Sequence, residues 1–331
     1  MGNRVPGEMA LPRMSKATRA WRWMAVAASV VIAVVVFGAP GPKLNLRSAI
    51  ASHDFGHVVA FGVVTALFAF AIGARSRADL RRRVGATFLA AGAAVALGAV
   101  VELAQAVRGL HGDPWDVVRD AGGALSVALI VLAVDSSISR SSRLAMMGVA
   151  FSVLVAFSYP TLAALSDESR ARTQFPVLAS FKTVGELSRF HFGEGLKPKI
   201  IPMTDDKGRF LSAVQLRLPA GKYPGFELRY FPGDWRGMRA LELLIVNPES
   251  TPIEMTVRID DSEYRFYLDD RYNQSFPLSP GVNRIEIPLS DVVAAPHDRE
   301  FDMRRVHSLL VYTIDLKQPR NIIVGPIKLL H

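Results

Sequence analysis

Hydrophobic and polar residues follow two regimes along the chain, changing near residue 165. Before that point apolar residues come in long runs: Met24–Ala39, Val58–Ala74, Val84–Val101, Ala121–Val134 and Leu144–Leu165. A bilayer core takes about 20 apolar residues per helix, with a range of about 17–25. The second, third and fifth runs therefore predict membrane-spanning helices, and the first sits at the lower limit. The fourth has only 14 uncharged residues between Asp120 and Asp135. To span, it must draw Asp116, Arg119 and Asp120 toward the hydrocarbon. The pattern predicts an α-helical membrane bundle of about five transmembrane helices over residues 23–165, behind a basic tail at 1–22.

Beyond residue 165 the period changes. Residues 166–187 show no strong periodicity and read as a linker. From 188 to 331 short runs alternate between Pro, Gly, Asp and Asn breaks, the signature of strands and turns. Candidate strands are Phe210–Leu218, Phe226–Phe231, Ala240–Val246, Ile253–Ile259, Glu263–Leu268, Val282–Pro288, Ser308–Ile314 and Ile322–Leu329. Alternation is clear in Ile253-Glu254-Met255-Thr256-Val257-Arg258-Ile259. This predicts an all-β sandwich, jelly-roll-like, on the far side of the last helix.

The first run follows a basic segment, as a signal peptide does. No small-x-small cleavage site follows it in Phe37-Gly38-Ala39-Pro40-Gly41-Pro42, so a retained helix is expected. Orientation follows from the flanking cations. Arg4, Arg13, Lys16, Arg19 and Arg22 precede the first helix, Arg75, Arg77, Arg81, Arg82 and Arg83 lie between the second and third, and Arg140 and Arg143 precede the fifth. The other loops offer Lys43, Arg47 and Arg108. The N-terminus is expected in the cytoplasm and the C-terminal domain outside. The net charge of +9 over 331 residues thus belongs to membrane topology, and the expected partner is the lipid bilayer, with no nucleic acid. No cysteine is present, which excludes disulfides and thiolate chemistry.

In that orientation the charged residues inside the apolar half share one side. Asp54 and His57 open the second helix, Glu102 and Gln105 close the third, and Asp116 and Asp120 open the fourth. Each pair has i,i+3 or i,i+4 spacing and shares a helix face. Ionisable groups at membrane depth are costly and mark functional sites by default. Together with Arg108 and Asp113 they form a candidate outer-face pocket, able to bind, to catalyse or only to lock helices together. His57 is the natural proton shuttle if the pocket is catalytic, with Asp54 or Asp116 orienting it. No metal and no cofactor are expected, since no P-loop or dinucleotide fingerprint stands in context. Ala90–Ala94, Gly98, Gly122 and Gly123 suit close helix approach.

At these residues the chain resembles the VanZ-like family of bacterial membrane proteins. Asp54-Phe55-Gly56-His57 with Phe61, Glu102-Leu103-Ala104-Gln105, and Asp116-Val117-Val118-Arg119-Asp120 before Gly122-Gly123 follow the family's order. Asp120 stands where the family usually has asparagine, and Arg108 sits earlier than the family's arginine. The resemblance covers roughly residues 20–135 and implies a bacterial cytoplasmic membrane protein. Residues 190–331 resemble galactose-binding-like jelly rolls used as carbohydrate-binding modules, on Trp235 to Val246, Arg258-Ile259-Asp260-Asp261, Gly281 to Leu289 and the closing strand. That resemblance implies glycan contacts from Trp235, Tyr267, Tyr272 and Asp270, with Tyr230, Asp269, Arg271 and Asn273 nearby. Three functions follow as expectations: a non-catalytic envelope protein recognising a lipid-linked precursor or glycan, an intramembrane enzyme acting on a lipid-linked headgroup, and a transport or flipping component.

Overall fold

The computed structural model describes residues 16–32, 46–73, 79–109, 113–265 and 267–331. Arg4, Arg13, Lys43, Arg75, Arg77, His111 and the end of the first apolar run lie outside the described residues. The chain divides into two compact units, residues 1–162 and 163–331.

The first unit is helical: α1 Lys16–Ile32, α2 Arg47–Ala71, α3 Leu80–Val107, α4 Pro114–Ala133 and the start of α5 Arg140–Gln174. Asp79 caps α3 by accepting the Arg82 amide at 2.8 Å. Asp113 caps α4 by accepting the Trp115 amide at 2.9 Å, and Pro114 takes the first helical position, where its missing N–H costs nothing. This cap starts α4 early enough to take Asp116, Arg119 and Asp120 into its first turns. Among the described residues three helices, α2, α3 and α5, are long and apolar enough to cross a membrane. Large apolar side chains face outward along them, among them Val63, Phe70, Phe88, Leu89, Phe151 and Leu162.

The interior of the bundle is made of small residues around Phe61 and Val64: Ala91, Ala94, Ala124 and Ala128. A Cβ on Gly123 would stand 2.0 Å from the Val58 carbonyl oxygen, so glycine is what lets α4 lie against α2. Gly98 plays the same part on α3, where a Cβ would fall 2.1 Å from Asp120 Oδ2.

The second unit is a sandwich of two antiparallel sheets. One sheet has the order β3 (Lys199–Thr204), β4 (Phe210–Leu218), β11 (Arg320–Leu330), β6 (Ala240–Asn247), β9 (Gly281–Pro288). A further strand, β1 (Val177–Ala179), pairs with the end of β11 beyond the reach of β4. The other sheet has the order β2 (Phe190–Phe192), β5 (Gly225–Leu228), β10 (Val306–Tyr312), β7 (Ile253–Asp261), β8 (Tyr272–Leu278). A short helix α6 (Leu289–Val293) follows β9. The inward positions of both sheets meet in one core of Leu216, Leu241, Leu243, Met255, Val257, Ile259, Leu309, Val311 and Trp235.

Two expectations need correction. Residues 166–174 are not linker, because α5 continues to Gln174. The reason lies in Arg189, whose side chain is fully buried and must be paired. Its Nε donates to Asp167 Oδ2 at 2.9 Å and its Nη2 to Oδ1 at 3.0 Å. Asp167 therefore belongs to the interior of this unit. Residues 263–265 and 267–268 of the expected strand Glu263–Leu268 are not strand. Asp261 is followed by a turn, and Phe266 lies outside the described residues.

Candidate functional site

The charged residues of the helical unit converge. His57, on the buried face of α2 about three turns in, has its Nδ1 2.9 Å from Asp120 Oδ1 and its Nε2 3.6 Å from Asp116 Oδ2. Whichever ring nitrogen carries the proton, a carboxylate faces it. The imidazole stacks on Phe61 one turn further on, and His53 meets it edge-on at 5.6 Å. Asp120 is only 1 % exposed, set against the gap that Gly98 leaves. Glu102 Oε2 accepts the Asp113 amide at 2.9 Å, tying the end of α3 to the cap of α4.

The cation that organises this cluster is Arg119. Its Nη2 donates to Asp54 at 3.0 Å, and its Nη1 to Asp113 at 3.1 Å and to Asp116. The structure thus brings together Asp54, His57, Glu102, Asp113, Asp116 and Asp120. Gln105 is half-buried on the last turn of α3, and Arg108 is exposed at its C-cap. Arg119, which sequence reasoning placed in the fourth segment without assigning it to the pocket, is the cation at the centre of the cluster. Its i,i+3 spacing from Asp116 is the signal that would have found it. Among the described residues no His, Asp or Glu group is arranged to hold a metal ion.

The second unit carries a cleft of about 540 Å³ on the outward face of the β2-β5-β10-β7-β8 sheet. Its floor is one register row crossing every strand of that sheet. His191 stands opposite Glu227, Glu227 opposite Leu310, Leu310 opposite Arg258, and Arg258 opposite Asn273. The next row holds Gly225, Tyr312, Thr256 and Ser275. Side chains two apart share a sheet face, so both rows point the same way. A Cβ on Gly225 would collide with Tyr312 and the Val311 carbonyl. Tyr312 stands edge-on to Tyr223 at 5.9 Å and donates its hydroxyl to Asn273 Oδ1 at 2.9 Å. Burial holds that hydroxyl above its ordinary pKa, against the opposing pull of Arg271 and Arg258. It remains a donor.

Several expected glycan contacts lie elsewhere. Trp235 has no exposed surface: it fills the core against Phe231 and donates its indole N–H to the Pro232 carbonyl. Tyr272 points inward from β8, and burial, reinforced by Asp291, pushes its hydroxyl up to about 12. The alternation that makes β8 a strand puts Tyr272 inside and Asn273 outside. Asp270 is half-enclosed, and although burial opposes ionisation, the Arg265 amide and Arg299 hold its carboxyl below the ordinary range. It braces the turn after β7. Tyr267 is 66 % exposed beside Leu268 of the cleft rim. The aromatic groups that do line the cleft, Tyr223 and Tyr312, were not singled out, whereas Arg271 and Asn273 are cleft residues as expected nearby.

No family model matches the chain, and no curated protein matches its sequence. Among solved structures, it is similar over 46 % of its length to a family 11 carbohydrate-binding module from Clostridium thermocellum, in complex with a β-1,3-1,4-mixed-linked tetrasaccharide. That match covers 94 % of the module at 18 % identity and a TM-score of 0.35. A family 30 carbohydrate-binding module of a Clostridium thermocellum cellulosomal cellulase matches 42 % of this chain and 88 % of its own, at 18 % identity and a TM-score of 0.29. An exo-beta-agarase matches 46 % of this chain and 24 % of its own, at 14 % identity and a TM-score of 0.39. At these TM-scores the likenesses carry no argument about ligand.

Proposed function

We propose that the chain is an integral membrane protein of the bacterial cell envelope, VanZ-like in its helical half, that recognises glycan through the cleft of its β-sandwich. The observation that carries this reading is the cleft itself. A ligand with apolar ring faces and hydroxyl edges needs aromatic surface beside hydrogen-bonding groups. Tyr223 and Tyr312 supply the first, and Asn273, Glu227, Arg258 and His191 the second, fixed on a rigid sheet. The polar cluster around Arg119 would meet the headgroup of a lipid-linked or cell-wall precursor at the same membrane.

The test is binding by the full chain in lipid nanodiscs. Oligosaccharides of four to six sugars (probe lengths of about that size fit the cleft's ligand-pocket scale) are titrated calorimetrically, with neutral β-glucan and uronate-containing series run side by side. Binding of either series is expected, weakened about tenfold, or about 1.4 kcal/mol, by Tyr312→Ala. Absence of binding by both series at millimolar concentration overturns the reading.

A second reading is an intramembrane enzyme acting on a lipid-linked headgroup. It is favoured by His57, whose Nδ1 is oriented by the buried Asp120 carboxylate, as a general acid–base imidazole is by its partner. Turnover of such a lipid, lost in His57→Ala, would put it first.

A further inference from the structure

The ionic pairing inside the cleft leaves one cation over. Glu227 is held by Arg229, whose Nη2 lies 2.6 Å from its Oε2. Arg258 forks onto Asp260, with Nε at 2.9 Å and Nη2 at 2.7 Å. Arg271 forms no ion pair among the described residues. Its Nη1 donates to the neutral Tyr264 hydroxyl at 2.8 Å, and its Nε is buried with no hydrogen-bond partner. Its guanidinium also lies 5.5 Å from the Tyr264 ring, on which Arg258 already sits at 4.7 Å. Two like charges are thus gathered around one phenol, and only one of them has a counter-ion. Half-buried charges are paired or have a purpose.

From this arrangement we propose that the cleft selects glycans bearing an oxyanion, the carboxylate of a uronic acid or a sulfate ester, and that Arg271 is the residue that receives it. A guanidinium offers a planar fork of donors matched to such groups, and a hydrogen bond to charge is stronger than one to a neutral hydroxyl. Asn273, whose Oδ1 is taken by Tyr312, presents its amide donors on the same face for the neighbouring sugar hydroxyls. The proposal rests on the glycan-binding reading above.

The experiment uses the full chain in nanodiscs with oligogalacturonate, a sulfated galactan oligosaccharide and a neutral β-glucan oligosaccharide of equal length. The acidic probes are expected to bind at least about tenfold more tightly than the neutral one, by a margin that shrinks as salt is raised. Arg271→Gln is expected to abolish that margin, read as the ratio of acidic to neutral affinity in the same variant. Arg271→Lys keeps the charge but not the fork, and is expected to retain part of the margin. Tighter binding of the uronate than the sulfate, or the reverse, names the source of the oxyanion. Equal affinity for acidic and neutral probes overturns the selectivity and leaves glycan binding standing. An acidic preference unmoved by Arg271→Gln overturns the assignment to this residue. No binding of any probe removes both readings together.

Discussion

At the scale of single residues, the helical unit turns on one hydrogen bond. His57 and Asp120 are both buried and 2.9 Å apart, on helices that otherwise meet through apolar residues and glycine. A buried polar group that loses its partner costs about 1–3 kcal/mol. Asp120→Ala should therefore lower the thermal stability of the protein in detergent by about that much. Asp120→Asn should not. An amide has both a donor and an acceptor, so it satisfies the imidazole in either tautomer, and it removes one carboxylate from a crowded cluster. The expectation is a melting temperature within about 2 °C of the wild type, since roughly 0.5 kcal/mol corresponds to a shift of that order. Melting curves of the two variants decide it, and equal losses would mean that the charge of Asp120, not its hydrogen bond, holds the cluster.

At the scale of elements, what could be read in advance was set by how local each pattern is. β4 begins and ends at the expected residues, and β6, β7, β9 and β11 fall within two residues of expectation at each end, because period-2 alternation bounded by Gly and Pro is a local property. Two edge strands, β3 and β8, were not legible, unlike the edge strand β9. β3 carries Pro202, and β8 exposes Asn273, Gln274 and Ser275 and carries Pro277, as unpaired edges tolerate. The polar cluster was legible since charges in apolar helices stand out, but the central part of Arg119 was not, because only geometry shows which carboxylates it reaches. The cleft was illegible: its floor takes one residue from each of five strands, and register alone assembles them. The β3–β4 hairpin makes an element-level prediction. Burial favours the neutral form of Asp205. It is outweighed by the backbone amides of Arg209 and Lys207 and by the Arg209 side chain, which lower the pKa from 3.8 to about 2. A folded pKa below the unfolded one stabilises above the unfolded value, and that share is lost as pH falls from about 4 to about 2. Acid titration followed by near-ultraviolet circular dichroism should show the wild type losing stability across that window. Asp205→Asn should be less stable at pH 7 and flatter between pH 4 and 2, and parallel curves would show that Asp205 is not responsible.

At the scale of the whole molecule, the two ends of the helices carry different chemistry. The start of α2, the end of α3 and the start of α4 bring together Asp54, Glu102, Asp113 and Asp116 around Arg119. At the other end, Arg83 of α3 pairs with Asp135 at 2.8 Å and bonds Ser137, while Arg143 donates to the Ala133 carbonyl that ends α4. Arginines on that second end, with Arg81, Arg82 and Arg140 beside them, are what the positive-inside rule assigns to the cytoplasm. In such an orientation the acidic cluster would lie on the outer side, and an odd number of crossings would deliver the C-terminal sandwich to that side too. A reporter active only in the cytoplasm, fused after Arg83, should be functional, and the same reporter fused after His331 should be silent. A secreted phosphatase should give the reverse pattern. If both fusions report the same side, the number of crossings is even and the cleft faces the cytoplasm, where no wall polymer reaches it. Topology is thus the condition on which the glycan reading stands, and it is decided without knowing the ligand.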